Sequence, residues 1–238
     1  MEETHDILKN YLDNHYIHRS NWLRAAVLGA NDGILSTASI AIGVSTASDL
    51  RQPIILATIA GLVAGALSMA SGEYVSVSSQ TDVEKADIER ERIELKEMPE
   101  LELLRLAKIY EKRGLKESTA LLVAKELTAH DALGAHVRDE LGINEISQAK
   151  PLQAALASGA SFSVGGLLPL LITLVAPLEK IEYTLYGSAI LFLIVLGALA
   201  AKTGGSNILK AITRITFWGT VAMGLTALVG YLFDTNVT

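Results

Sequence analysis

Asp32 stands inside a long apolar stretch, in the run Ala30-Asn31-Asp32-Gly33, where little water is available to solvate its charge. On insertion scales an acid near the centre of a membrane helix costs about 2.5 to 3.5 kcal/mol, so a functional role is the first reading. Low dielectric raises the proton affinity of a carboxylate, and an arriving dication displaces that proton. This is the elementary step of metal and proton exchange. A helix-terminal cap at the interface remains the structural alternative, since Asp32 lies less than three turns beyond Arg24. Met69 and Glu73 sit one turn apart on a second apolar stretch, beside Ser68 and Ser71. A thioether and a carboxylate facing a pore can pass on a borderline metal, although Met in a span also serves packing.

Two further sets lie in a polar segment. Glu84, Asp87, Glu91 and Glu94 recur at helical spacing, which puts four carboxylates on one stripe. Stacked like charges cost a few tenths of a kcal/mol per pair, roughly, so a cation would relieve them. A solvated face balanced by Lys85, Arg90 and Arg92 is the competing account. Glu126, His130, His136, Asp139 and Glu140 follow, with Glu126/His130 and His136/Glu140 each one turn apart. Imidazole with carboxylate suits Fe(II), Mn(II), Zn(II) or Co(II) better than Cu(I), while surface pairing explains the same spacing. Cys is absent, which removes thiolate sites and disulfides. No nucleotide loop, Gly-x-Ser-x-Gly elbow or HExxH occurs, so transport would run on an ion gradient or passively.

The elements that must position these residues divide between two solvents. Half of the 238 residues are apolar, yet Thr81 to Asp139 is dense in charge. Five stretches, about Leu23–Ala47, Pro53–Val77, Leu152–Ala176, Ile181–Ala201 and Ala211–Phe233, are long enough to cross some 30 Å of hydrocarbon. Arg19, Arg24, Lys85, Lys150, Lys202, Lys210 and Arg214 flank one side, and Arg51 and Lys180 the other. The basic side is expected in the cytoplasm. Small residues, including Gly61, Gly65, Gly72, Gly159, Gly165 and Gly166, let spans approach closely. The formal net charge of -6 and the lack of a basic stripe set nucleic acid aside.

The insert reads as three helices: a continuation of the second span to about Glu97, ended by Pro99; Glu100 to Arg113, stopping at Gly114; and Glu117 to Leu141, stopping at Gly142. The expected fold is an all-α integral membrane protein with five transmembrane helices. A three-helix cytoplasmic metal-binding insert separates the second and third spans. Its segments are 1–20, an amphipathic surface helix bearing His5, His15 and His18; 21–77, spans one and two; 78–150, the insert; and 151–238, spans three to five. The amino terminus lacks the pattern of a cleaved secretory signal.

The run from His18 to Thr37, with Ala64-Gly65-Ala66-Leu67-Ser68-Met69-Ala70-Ser71-Gly72-Glu73-Tyr74, Leu127-Thr128-Ala129-His130-Asp131-Ala132-Leu133 and Arg138-Asp139-Glu140-Leu141-Gly142, strongly resembles bacterial members of the vacuolar iron transporter family. The resemblance covers essentially everything after Tyr16. It implies a homodimeric Fe(II)/H⁺ antiporter with a pathway between protomers lined by the first spans, and a cytoplasmic domain that collects metal. Asp32 and Met69 match the pathway acid and thioether, and Glu91, Glu94, Glu102 and Glu140 match the domain carboxylates. Three positions depart from plant-type members: Gly61 replaces a second membrane glutamate, Arg105 a domain carboxylate and His136 a methionine. Compensation by Glu73 or by the His residues is the corresponding expectation.

The leading expectation is proton-coupled export of Fe(II), with Mn(II) as a second substrate, from cytoplasm to periplasm or an organelle. The membrane is then a bacterial-type inner membrane or that of an organelle. The rivals are a di-iron ferroxidase or iron-storage-linked membrane protein, and a non-conducting metal-regulated scaffold. A di-iron site needs Glu-x-x-His pairs on facing helices. None occurs within the insert.

Overall fold

The computed structural model describes residues 20–143 and 150–233, with side chains from Ala26 onward. The expected surface helix at the amino terminus, with His5, His15 and His18, lies outside the described residues. Among those described, seven α-helices follow one another: α1 (Ser20–Ser45), α2 (Arg51–Glu97), α3 (Pro99–Lys112), α4 (Glu117–Asp139), α5 (Pro151–Val175), α6 (Ile181–Thr203) and α7 (Ile208–Leu232). A single 3-10 turn, Leu178–Lys180, joins α5 to α6. Contacts divide the chain into two compact units, 1–74 with 152–238, and 75–151.

In the first unit, five helices are long and apolar enough to span a bilayer. Their large side chains remain widely exposed, including Leu56, Val63 and Leu67 on α2 and Leu171 and Val175 on α5. Such surface would be a liability in water and is ordinary in lipid. The unit's core joins Ile34, Ala38, Ala41 and Ile42 of α1 to Leu185, Ala189 and Leu193 of α6 and Met223 of α7.

Close approach of α1 and α5 depends on glycine. A methyl group on Gly33 would collide with the Phe162 carbonyl, and one on Gly165 with the Ala30 carbonyl. Arg51, at the start of α2, donates to the carbonyls of Thr173 (3.0 Å), Leu174 (2.8 Å) and Ala176 (2.5 Å). These acceptors end α5, where helix carbonyls lack intrahelical partners and the macrodipole favours a cation.

The second unit contains the charged end of α2, together with α3 and α4. α2 runs unbroken to Glu97, and Pro99 opens α3. Gly114 (φ 100°) and Gly142 (φ 69°) take left-handed conformations after α3 and α4, which glycine adopts without a Cβ clash. Leu106 and Ala107 of α3 pack with Ala124 and Ala135 of α4. α4 departs from the single smooth helix expected. Asp131 is extended (φ −161°, ψ 91°), and its carboxylate accepts from the Gly134 amide at 3.0 Å. An Asp side chain offers the backbone this alternative to the helical ladder, restarting the helix as a cap would.

Candidate metal centre

The kink at Asp131 separates the two His/Glu pairs of α4. Glu126 and His130 precede it and are exposed, whereas His136 and Glu140 follow it and turn inward. Opposite them, Glu91 comes from α2 and Glu102 from the first turn of α3. Glu91, Glu102 and His136 are buried, at 3%, 0% and 0% exposure. These three and Glu140 each bring a ligand atom within 4.8 Å of the others. Among the described residues no other such His and carboxylate group forms.

His136 Nδ1 is the focus of this group. It lies 2.8 Å from Glu91 Oε1, 3.1 Å from Glu140 Oε2 and 3.9 Å from Glu102 Oε2. One imidazole N–H cannot serve three carboxylates. Glu91 Oε1 shows the shortfall: it is buried and in ion-pair range of His136, yet has no hydrogen bond of acceptable geometry among the described residues. Burial, followed by the charge of Glu140, pushes the Glu91 carboxyl above its ordinary pKa. Three carboxylates and one imidazole supply hard and borderline donors, a set suited to a divalent first-row metal.

Glu94 behaves differently from Glu91, one turn earlier on the same stripe. It accepts from Arg90 at 2.9 Å and from Arg105 at 3.0 Å, and hydrogen bonds from Arg90 foremost, then Arg105, lower its pKa. Arg105 also donates to both oxygens of Glu102 at 3.0 Å and to Glu140. Glu84 and Asp87 stay at the solvent-facing end of the stripe, Glu84 accepting from Gln80 at 2.8 Å. The stripe is thus divided between a buried donor, an arginine-held neighbour and a wet face.

Asp139 clamps α3 to α4. It accepts from Tyr110 Oη at 2.8 Å, Arg113 at 2.7 Å and Arg138 at 3.1 Å. Burial works against its charge, but those hydrogen bonds together outweigh it and hold the carboxyl below its usual range. Neither Tyr110 nor Arg113 stands out in the sequence; their one-turn spacing, at the end of α3 and just after it, is the only signal.

The candidate membrane residues belong to the first unit. Asp32, on α1 beside the Gly33 contact, is half-buried and accepts from Ser36 Oγ at 3.0 Å. Met69 and Glu73 are half-buried on α2. Gly61 faces Ile40 Cδ1 of α1, so this position is used for helix packing.

A family model described as the VIT family matches residues 23–231. A "Vacuolar iron transporter" of Acanthamoeba castellanii is 45% identical over 217 residues, covering 91% of this chain and 80% of that protein. A "Vacuolar iron transporter homolog 2" of Oryza sativa subsp. japonica is 34% identical, covering 91% of this chain and 93% of its own. Its Arabidopsis thaliana namesake is 35% identical, covering 94% and 93%. The match runs from the first span through the insert to the end of α7, and on that extent this chain belongs to the VIT family.

Proposed function

We propose that this integral membrane protein transports divalent metal, exporting Fe(II), and Mn(II) by the same ligand chemistry, from the cytoplasm in exchange for protons as a homodimer. The observation that carries the reading is the convergence of Glu91, Glu102, His136 and Glu140 on one point with more acceptors than donors. The names of the relatives supply iron as the cargo. Family membership favours a transporter over the ferroxidase and scaffold alternatives.

In this reading the insert faces the cytoplasm, as the Lys and Arg distribution suggests, and takes up the ion before it enters the membrane. Glu91, Glu102, His136 and Glu140 are its ligands, and Glu94 borders them. Asp32 is the exchanging carboxylate of the pathway, which it shares with Met69 and Glu73. A dication and a proton compete for Asp32, so loading one releases the other. Zn(II) and Co(II) fit the same donors, and affinity order alone does not choose among these metals.

Metal flux in proteoliposomes under an imposed pH gradient tests this function. Fe(II) and Mn(II) movement with proton counterflow is expected. Metal binding without flux would leave a scaffold, and catalytic Fe(II) oxidation without flux would leave a ferroxidase.

A further inference from the structure

Among the described residues Arg105 is the cation that bridges several of the four inward-facing carboxylates of the insert, whereas Arg90 pairs with Glu94 alone from a side chain that is 72% exposed. The two terminal nitrogens of Arg105 reach three of them, Glu94 from α2, Glu102 from α3 and Glu140 beyond the end of α4. A planar guanidinium presents its donors as a fork and can hold several carboxylates at once, as a divalent ion would. The fourth carboxylate, Glu91, is out of its reach and keeps the buried oxygen without a hydrogen bond. Glu91 and His136 therefore mark one cation position, and Arg105 fills the adjacent one.

We infer that Arg105 is a resident counter-cation that takes the place of a second metal ion, so that the insert of this chain loads one divalent ion, in competition with the guanidinium for Glu102 and Glu140. The inference rests on the proposed metal-collecting role of the insert. Charge balance points the same way: with Arg90 left largely to the solvent, four ionised carboxylates and the Arg105 guanidinium carry −3, one divalent ion brings this to −1, and a second would overshoot to +1. Access favours the competition as well. The Arg105 side chain is 40% exposed, and it lines a cleft of about 360 Å³ with Lys108, Lys112, Asp139 and Glu140. The cleft reaches Arg105 and Glu140 but not the buried Glu91, so an ion entering there competes with the guanidinium for Glu140 and Glu102 while Arg105 keeps Glu94.

The test counts Mn(II) bound to the full-length protein in detergent, with insert ions defined as those lost when Glu91→Gln and Glu140→Gln are combined. One insert ion is expected for the native protein, with the electron paramagnetic resonance spectrum of an isolated Mn(II). Arg105→Gln frees Glu102 and Glu140 together and leaves Glu94 with Arg90 alone. It should bind two insert ions, broaden the spectrum through coupling between neighbouring ions, and tighten the first ion by at least about tenfold, because a nearby positive charge is gone. Arg105→Lys keeps the charge without the fork. It should still bind one ion, several-fold more tightly. Two ions in the native protein, or one ion with unchanged affinity in both variants, overturns the inference, and the native count decides it even where Arg105→Gln fails to fold. Loss of no Mn(II) on combining Glu91→Gln with Glu140→Gln is a different failure, which removes the metal-collecting role itself.

Discussion

His136 Nδ1 lies 2.8 Å from Glu91 Oε1 with both side chains sealed from solvent, yet no hydrogen bond joins them. The two residues come from α4 and α2, and the chain between them is long, so only the folded insert makes them neighbours. A carboxylate held this way is costly without a cation and useful with one.

Glu91→Gln should therefore stabilise the metal-free insert while abolishing most metal binding. The folded state raises the Glu91 pKa, so its contribution to stability is present at low pH and is lost as pH rises through that raised value. Native protein without metal should lose insert stability between acid and neutral pH, and Glu91→Gln should flatten that slope. Thermal melting with and without Mn(II) provides the check. A lower melting temperature for Glu91→Gln, with the metal-induced shift retained, would contradict it.

Asp139 has the opposite sign. Its pKa is depressed by Arg113, Tyr110 and Arg138 against the effect of burial, so its stabilisation is present at neutral pH and fades as pH falls through the lowered value. Asp139→Ala should destabilise the α3–α4 pair by about 1–3 kcal/mol at neutral pH, leaving Tyr110 without its acceptor. Amide exchange in α3 and α4 measures this. Equal protection in the variant and the native protein at neutral pH would refute the clamp.

Gly33→Ala should cost about 1–3 kcal/mol, because its added methyl runs into the Phe162 carbonyl, which cannot rotate away. Gly72→Ala is the control: nothing lies within 4 Å of its added carbon. Melting in one detergent should separate the two, with Gly72→Ala equal to the native protein or above it. Similar melting temperatures for both would remove the close α1–α5 contact as a constraint.

Asp32→Asn should abolish proton-linked metal flux while the fold is retained. The amide is isosteric and can still accept from Ser36, so a structural role predicts little change. A coupling role predicts loss, since an amide neither binds a dication strongly nor exchanges a proton for it. Near-normal metal-driven proton movement by a folded Asp32→Asn protein would transfer the role to Glu73.

Topology can be read by single-Cys labelling, because native thiols are absent. Lys202→Cys, in the last turn of α6, should react from the cytoplasm and Lys180→Cys, at its start, only from the far side. Labelling of both from one side would defeat the orientation.

Much of the architecture was legible from local pattern. Hydropathy over about 20 residues depends only on neighbours in the chain, so the five spans stand near where the apolar runs put them. Pro99, Gly114 and Gly142 act through their own backbones, and α2, α3 and α4 end beside them. Asp32 also announced itself, since an acid in an apolar run needs no partner to be conspicuous. Tertiary structure decided which charges share a site. Periodicity put Glu84, Asp87, Glu91 and Glu94 on one stripe, but only the packing of α3 and α4 against that end of α2 buries Glu91 and gives Glu94 to Arg105. Likewise, Glu126/His130 and His136/Glu140 carry the same spacing, and the turn at Asp131 is what exposes one pair and buries the other. Hydropathy and helix breaks are sums over adjacent residues, whereas a metal centre requires atoms from three helices to meet within a few ångströms. That meeting depends on contacts that no single stretch of chain contains.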